Sequence, residues 1–282
     1  MSSISALPDA LAGTTRHLFL SPHYDDIALS VGATVRLLAD QGLAPETWVV
    51  FGSEPYTTEP LSAFARTLHD AWGLNAEEVI ASRQAEEQQA ASVMGAQTGV
   101  LPFRDAIYRG NRYRSNDDLF GPPAAAESSL PEEIIGSLVL GATPTTSTRI
   151  YAPLGVGRHV DHQIVFLAGM ELATRGWEVW FYEDIPYALK PNALENRLAE
   201  ISESFPLQQV AWVPVQSVWE TKLDAILSYP TQLEMVFRNY VGVGTSRDEI
   251  SAALGTYAAE GSGGILTERF WQVAQALSDE GS

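Results

Sequence analysis

Short apolar runs alternating with amphipathic stretches constrain this chain more than any other feature. HLFLSP (17–22), TWVVFG (47–52), TGVLPF (98–103), RIYAPL (149–154), EVWFYED (178–184) and QQVAWVPV (208–215) read as buried strands. Between them, 27–42, 60–73, 77–95, 131–140, 161–175 and 192–203 carry helical spacing, as do stretches near 217–239 and 247–259. Alternation at this interval implies βαβ units and a mainly parallel sheet. Such a sheet is covered on both faces, which is why its strands are continuously apolar. The expected fold class is therefore α/β, a Rossmann-like, mainly parallel sheet flanked by helices. Residues 104–129 lack periodicity and read as one long loop, a feature that is often functional in compact domains. No repeat or low-complexity linker divides the chain. A single domain over 1–282 is expected, with the part from about 205 to 282 as an appended subregion.

Charge and composition narrow the function. The 282 residues hold 17 Lys plus Arg against 35 Asp plus Glu, a formal charge of −18. Excess acid repels phosphate backbones and anionic headgroups, so neither nucleic acid nor a membrane is an expected partner. No run of 18 apolar residues occurs, and the first 16 residues lack the basic start and apolar centre of a secretory signal, so a cytoplasmic location is expected. The chain has no cysteine. Thiolate metal sites, disulfides and thiol nucleophiles are thereby excluded. Any metal must be held by His, Asp or Glu, and the five histidines stand at 17, 23, 69, 159 and 162.

Ligands of open α/β sheets bind beyond the carboxyl ends of the strands. Two polar clusters fall at such ends. Ser21-Pro22-His23-Tyr24-Asp25-Asp26 follows the first strand, and Gly155-Val156-Gly157-Arg158-His159-Val160-Asp161-His162 follows strand 149–154. A hydrolytic zinc site uses three protein ligands and keeps a position open for water. His23 and Asp26, three apart at a strand-to-helix turn, can face one centre, and His162 would complete the set. Asp25 is then free to take a proton from water as general base. His159 could protonate a leaving group or stabilise an oxyanion. Blander readings compete. His-x-x-Asp recurs by chance, and two acids after a strand can simply cap the following helix. Asp161 is expected to cap its helix or face solvent, and His17 and His69 to be structural. Arg109, Arg112 and Arg114 read as a solvated loop, and Trp177, Trp180 and Trp212 as core. Tyr182-Glu183-Asp184 with Pro186-Tyr187 could equally line the pocket or form a capped loop with an exposed acid pair. Gly242-Val243-Gly244 lacks the third glycine of a dinucleotide fingerprint, which discounts a nicotinamide cofactor.

The pair SPHYDD and GRHVDH resembles the LmbE-like, PIG-L-type zinc N-deacetylases. SRQAEEQQAASVMGA carries Arg83 and Glu86 where that family has an Arg-x-x-Glu helix. Asp105 in LPFRDAIYR, Lys222, Tyr229 and Gln232 in KLDAILSYPTQ, and Glu268-Arg269-Phe270-Trp271 match further family positions. Tyr24 and Ile27 depart from the family's common Pro and Glu at those positions, which puts the substrate in doubt and not the metal set. Carried over residue by residue, the resemblance implies His23, Asp26 and His162 as ligands of Zn2+ or another divalent metal. It implies Asp25 as general base, His159 as acid or oxyanion donor, and Arg83 and Asp105 near the substrate. The implied enzyme is a metal-dependent N-deacetylase, a hydrolase of linear amide C–N bonds. It would free acetate from a small N-acetylated amino sugar or glycoconjugate such as an N-acetylglucosamine derivative, and a homo-oligomer is compatible with this. Tyr108, Tyr113 and Phe120 could stack on a sugar ring or anchor their loop. The competing readings are an amidase or hydratase using the same site on a non-sugar substrate, and a non-catalytic Rossmann-like binding protein.

Overall fold

A computed structural model describes residues 7–53, 61–72, 76–141 and 143–274. The ends of the helix expected over 60–73 lie outside the described residues, as do positions 1–6 and 275–282. Strands β1 (Arg16–Ser21), β2 (Glu46–Val49), β3 (Gln97–Val100), β4 (Thr148–Pro153), β5 (Glu178–Tyr182), β6 (Leu207–Pro214) and β7 (Thr267–Val273) form one sheet in the order β3-β2-β1-β4-β5-β7-β6. From β3 to β5 every pairing is parallel. β7 runs antiparallel to both β5 and β6. The helices are α1 (Asp26–Asp40), α2 (Ala63–Trp72), α3 (Ala76–Met94), α4 (Asn116–Leu119), α5 (Leu130–Ser137), α6 (Val160–Thr174), α7 (Ala193–Ser202), α8 (Trp219–Ile226), α9 (Pro230–Leu233) and α10 (Arg247–Ala258). Within the described residues, none is long and apolar enough to cross a membrane.

The expected α/β architecture is the observed one, and it places the site. β1 and β4 lie side by side although a long stretch of chain separates them. The order reverses there, so the loops into α1 and α6 diverge and leave a crevice between them. Continuous burial of β1 and β4 pins both loop starts, with Phe19 and Tyr151 stacked across the pair at 4.1 Å.

Three elements depart from the expected pattern. β7 was not anticipated, because TERFWQV mixes charge and aromatics; Glu268 and Arg269 are nonetheless buried, each in an ion pair. The helix expected near 217–239 is broken. Pro230 has no N–H and biases Tyr229 away from helical geometry, so α8 stops, α9 restarts and a π-helical turn follows over Glu234–Val241. Trp212, expected in the core, is 38% exposed on β6, which has a neighbour on one side only. The long loop 104–129 is built of short turns around α4.

A buried ion pair repairs a break in α1. Val31 leaves helical geometry (φ −135, ψ 21). The Glu268 carboxylate accepts the N–H groups of Ala33 and Thr34 and the Thr34 hydroxyl, while Lys222 Nζ donates to Ser30 O and lies 2.6 Å from Glu268 Oε1. Both side chains are about 4% exposed. Lys222→Met leaves Glu268 buried without its countercharge, so a loss of about 3–5 kcal/mol is expected in urea unfolding. Replacing both residues by apolar ones should recover part of it.

Candidate active site

The turn after β1 presents its residues through one unusual backbone conformation. Asp25 sits at the N-terminus of α1 with φ 84, a left-handed geometry that is uncommon outside glycine. Its side chain makes no capping bond, so the bland reading of Asp25 as a helix cap does not describe it. The conformation is held from outside. The Asp25 N–H faces the buried Glu87 carboxylate and favours its charge, and that carboxylate accepts from Thr98 Oγ1 at 3.1 Å and Tyr229 Oη at 2.7 Å. Tyr24, at the position where the resembled family has Pro, is buried and donates its hydroxyl to Gly52 O at 2.7 Å. Gly52 can carry no side chain there, because a Cβ would come within 2.8 Å of the Tyr24 oxygen.

The second cluster faces the first. Asp26 Oδ2 accepts the His23 N–H at 2.8 Å, lies 3.6 Å from His23 Nδ1 and lies 3.4 Å from His162 Nε2. Each of these histidines has its other nitrogen engaged by a buried carboxylate. His23 Nε2 is 2.9 Å from Asp161 Oδ2, and His162 Nδ1 is 2.6 Å from Asp184 Oδ1. Those carboxylates accept the proton, so the nitrogens facing Asp26 carry lone pairs in the neutral rings. His162 Nε2 is buried and has no hydrogen-bond partner among the described residues. Ligand atoms of His23, His159 and His162 also fall within 4.8 Å of one another, as do those of His23, Asp105 and Asp161.

This donor set fits a divalent cation. Bonds of about 2.0–2.1 Å to a tetrahedral ion put neighbouring ligand atoms roughly 3.3 Å apart. The 3.4 and 3.6 Å separations around Asp26 match that spacing. Nitrogen and carboxylate oxygen are the ligands left to a chain without cysteine. The electrostatics agree. Burial disfavours charge on His23, yet Asp105, Asp161 and Asp26 outweigh it and raise its pKa to about 9. Burial likewise opposes charge on His162, and Asp26 and Asp184 reverse the sign. The surrounding acids thus favour positive charge at this point.

Asp25 and His159 are tuned differently. Burial pushes the Asp25 carboxyl up to about 7; Arg83, whose Nη2 lies 3.6 Å away, works against the rise and Asp26 adds to it. Arg83 Nη2 also donates to Tyr24 O at 3.2 Å. His159 Nδ1 accepts the Asp161 N–H at 3.2 Å, so the neutral ring carries its proton on Nε2. Burial, reinforced by His23, holds His159 well below the ordinary histidine range. Asp105 Oδ2 is 3.7 Å from His23 Nε2, while its Oδ1 accepts the Ile107 N–H. All seven residues singled out from the sequence therefore gather around the crevice between β1 and β4.

Several expectations about the neighbours are overturned. Asp161 does not face solvent; it is fully buried, bonded to His23 and to the Ala106 N–H, and ion-paired with Arg109 at 2.7 Å. Arg109 is buried between Asp161 and Glu127, not solvated. Of the two readings open for Glu183–Asp184, the exposed pair fails: both are buried, Asp184 behind His162 and Glu183 against Arg269, Tyr257 and Trp271. The place of Asp184 just past a parallel strand's carboxyl end is the sequence signal behind its pocket-lining reading. Glu87 has no such signal, because its partners are remote in the chain. His17 and His69 are structural as expected, bonded to the hydroxyls of Tyr151 and Tyr108.

A family model described as PIG-L, GlcNAc-PI de-N-acetylase, matches residues 18–173. That is more than half of the chain and includes both clusters. The protein belongs to the PIG-L family. Two relatives align over nearly the whole chain. The 2'-N-acetylparomamine deacetylase of Niallia circulans is 28% identical, covering 93% of this chain and 96% of its own. That of Streptomyces fradiae is 29% identical, covering 93% and 91%. Among solved structures, the zinc-inhibited form of the teicoplanin deacetylase Orf2 superposes with a TM-score of 0.67 over 94% of this chain and all of the other, at 22% identity. That likeness shows a shared fold. Lys222, Tyr229, Glu268 and Arg269 lie outside the matched residues. In this PIG-L chain they brace α1, Glu87 and Glu183 rather than face the crevice.

Proposed function

We propose that the protein is a metal-dependent N-deacetylase that hydrolyses the acetamide of an N-acetylated amino sugar in a small glycoconjugate, releasing acetate and a free amine. One observation carries the reading. His23 Nδ1 and His162 Nε2 converge on Asp26 Oδ2, each ring fixed from behind by a buried acid, with Asp25 beside them unused by any cap. The near-full-length relatives named as 2'-N-acetylparomamine deacetylases support an amino sugar joined to a second ring as substrate. We take residues 1–282 as a single catalytic domain, with 205–282 supplying the supports behind the site.

His23, Asp26 and His162 would hold the ion. Zinc or another divalent metal bound there supplies a Lewis acid and lowers the pKa of water. Asp25 accepts a proton from the attacking water. The same carboxyl can return the proton to the departing amine. Arg83 orients the Asp25 carboxylate. His159 is neutral and a donor at Nε2, so it stabilises the acetyl oxygen as charge develops there. Asp161 serves two partners, fixing His23 through its carboxylate and His159 through its N–H. Arg109 neutralises that carboxylate.

The test is acetate release by protein loaded with one equivalent of zinc, or of another divalent ion, from 2'-N-acetylparomamine and from N-acetylglucosamine. Release that is abolished by chelation and restored by metal is expected. No release from either compound with any of the ions overturns the reading. Asp184→Asn should weaken metal binding by roughly 10–100-fold in competition with a chelator, because the His162 tautomer is no longer imposed.

A further inference from the structure

Three aromatic rings form an unbroken edge-to-face series that begins on the histidines of the site. Phe120 stands 5.5 Å from His159 and 6.1 Å from Tyr187. Tyr187 stands 5.2 Å from His162 and 5.2 Å from Tyr240. The rings come from separate segments: the long loop after β3, the turn after β5, and the π-helical turn Glu234–Val241. All three side chains are half-buried beside the site; Tyr187 also packs against the main core and Phe120 against a smaller apolar cluster. Neither tyrosine hydroxyl has a hydrogen-bond partner among the described residues, and neither oxygen is buried, so both are open to a ligand. The Tyr187 ring is also held in place. A Cβ on residue 157 would lie 2.4 Å from it, so Gly157 lets the ring rest against the loop that carries His159.

The candidate metal and base residues all lie within 18–173, the stretch shared with the family model. Tyr187 and Tyr240 lie beyond it. Phe120 lies within it. We propose that Phe120, Tyr187 and Tyr240 form a subsite for a second ring, the saturated, hydroxyl-bearing ring joined to the sugar that carries the acetamide. The C–H edges of such a ring pack on aromatic faces, and its hydroxyls or amines pair with the two open phenols. This inference rests on the N-deacetylase reading of the site.

The experiment compares kcat/KM for 2'-N-acetylparomamine, which has the second ring, with that for N-acetylglucosamine, which lacks it. The wild type should favour the two-ring compound by at least about tenfold. Tyr240→Ala and Phe120→Ala, substitutions in distant segments, should each lower that ratio about tenfold, mainly by raising KM for the two-ring compound. General damage to the site would lower both constants and leave the ratio unchanged. Independently of turnover, NMR saturation of protein aromatic protons should reach the second ring of the product amine, paromamine, in the wild type and be lost in Tyr240→Ala. An unchanged ratio in both variants, or no saturation reaching that ring in the wild type, overturns the subsite. If the wild type releases no acetate from either compound, the deacetylase reading falls, and saturation transfer still decides the subsite.

Discussion

Asp25→Asn should lower kcat by roughly 10²–10⁴-fold, the contribution of a positioned proton acceptor, while the protein still binds one metal ion. Asparagine is the informative replacement. It tolerates the left-handed backbone required at φ 84, keeps the N–H that faces Glu87, and removes only the proton-accepting charge. Asp25→Ala should lose as much activity and add strain, visible as a lower unfolding midpoint. Metal content and kcat measured on the same preparation separate the roles. If metal is lost together with activity, Asp25 belongs to the ligand set and not to proton transfer. If kcat stays within a few-fold of wild type, another group must take the proton, and Glu87, engaged by Tyr229 and Thr98, is not free to do so.

His162→Ala should show the opposite pattern, with metal affinity and activity falling together. The loss should exceed the roughly 100-fold that removal of an outer hydrogen-bond partner costs a metal site. His162 is about 1% exposed and stands between Asp26 and Asp184. Its removal also takes an imidazole from two buried carboxylates, leaving Asp26 to the His23 N–H and Asp184 to the Val156 N–H, so the metal-free variant should be less stable than the metal-free wild type. Competition with a colorimetric chelator measures the first effect and urea unfolding the second. Retention of a full equivalent of tightly bound metal would show that the ion is held elsewhere, and the His23, Asp105 and Asp161 group would then be the place to look.

How much of this was legible beforehand depends on the range of the interaction. The strand–helix alternation is a local signal, and it places β1 to β6 and most helices within a few residues. Both site clusters were visible because loops after parallel strands are where such folds expose polar side chains. The residues that hold the clusters in position were not visible. An acid at a helix start is expected to cap the helix or face solvent; the burial of Asp161 follows from Arg109, reached through the long loop. The α1 break at Val31 has only Gly32 beside it as a local cue, and its freed backbone groups are satisfied by the distant Lys222 and Glu268. β7 escaped notice because strand periodicity reports burial of apolar residues, whereas Glu268 and Arg269 are buried as ion pairs.

Local pattern was therefore sufficient for the fold class, the absence of thiolate chemistry and the placing of His23, Asp25, Asp26, His159 and His162 at strand ends. The tertiary fold decided which nitrogen of each histidine is free, how Asp25 keeps its left-handed turn, and which rings border the crevice. Those properties depend on contacts such as His23 to Asp161, 138 residues apart, and Tyr229 to Glu87, 142 apart. Periodicity encodes which face of an element is buried. It carries no information about which distant group that face will meet, and the protonation and orientation of a site are set by that meeting.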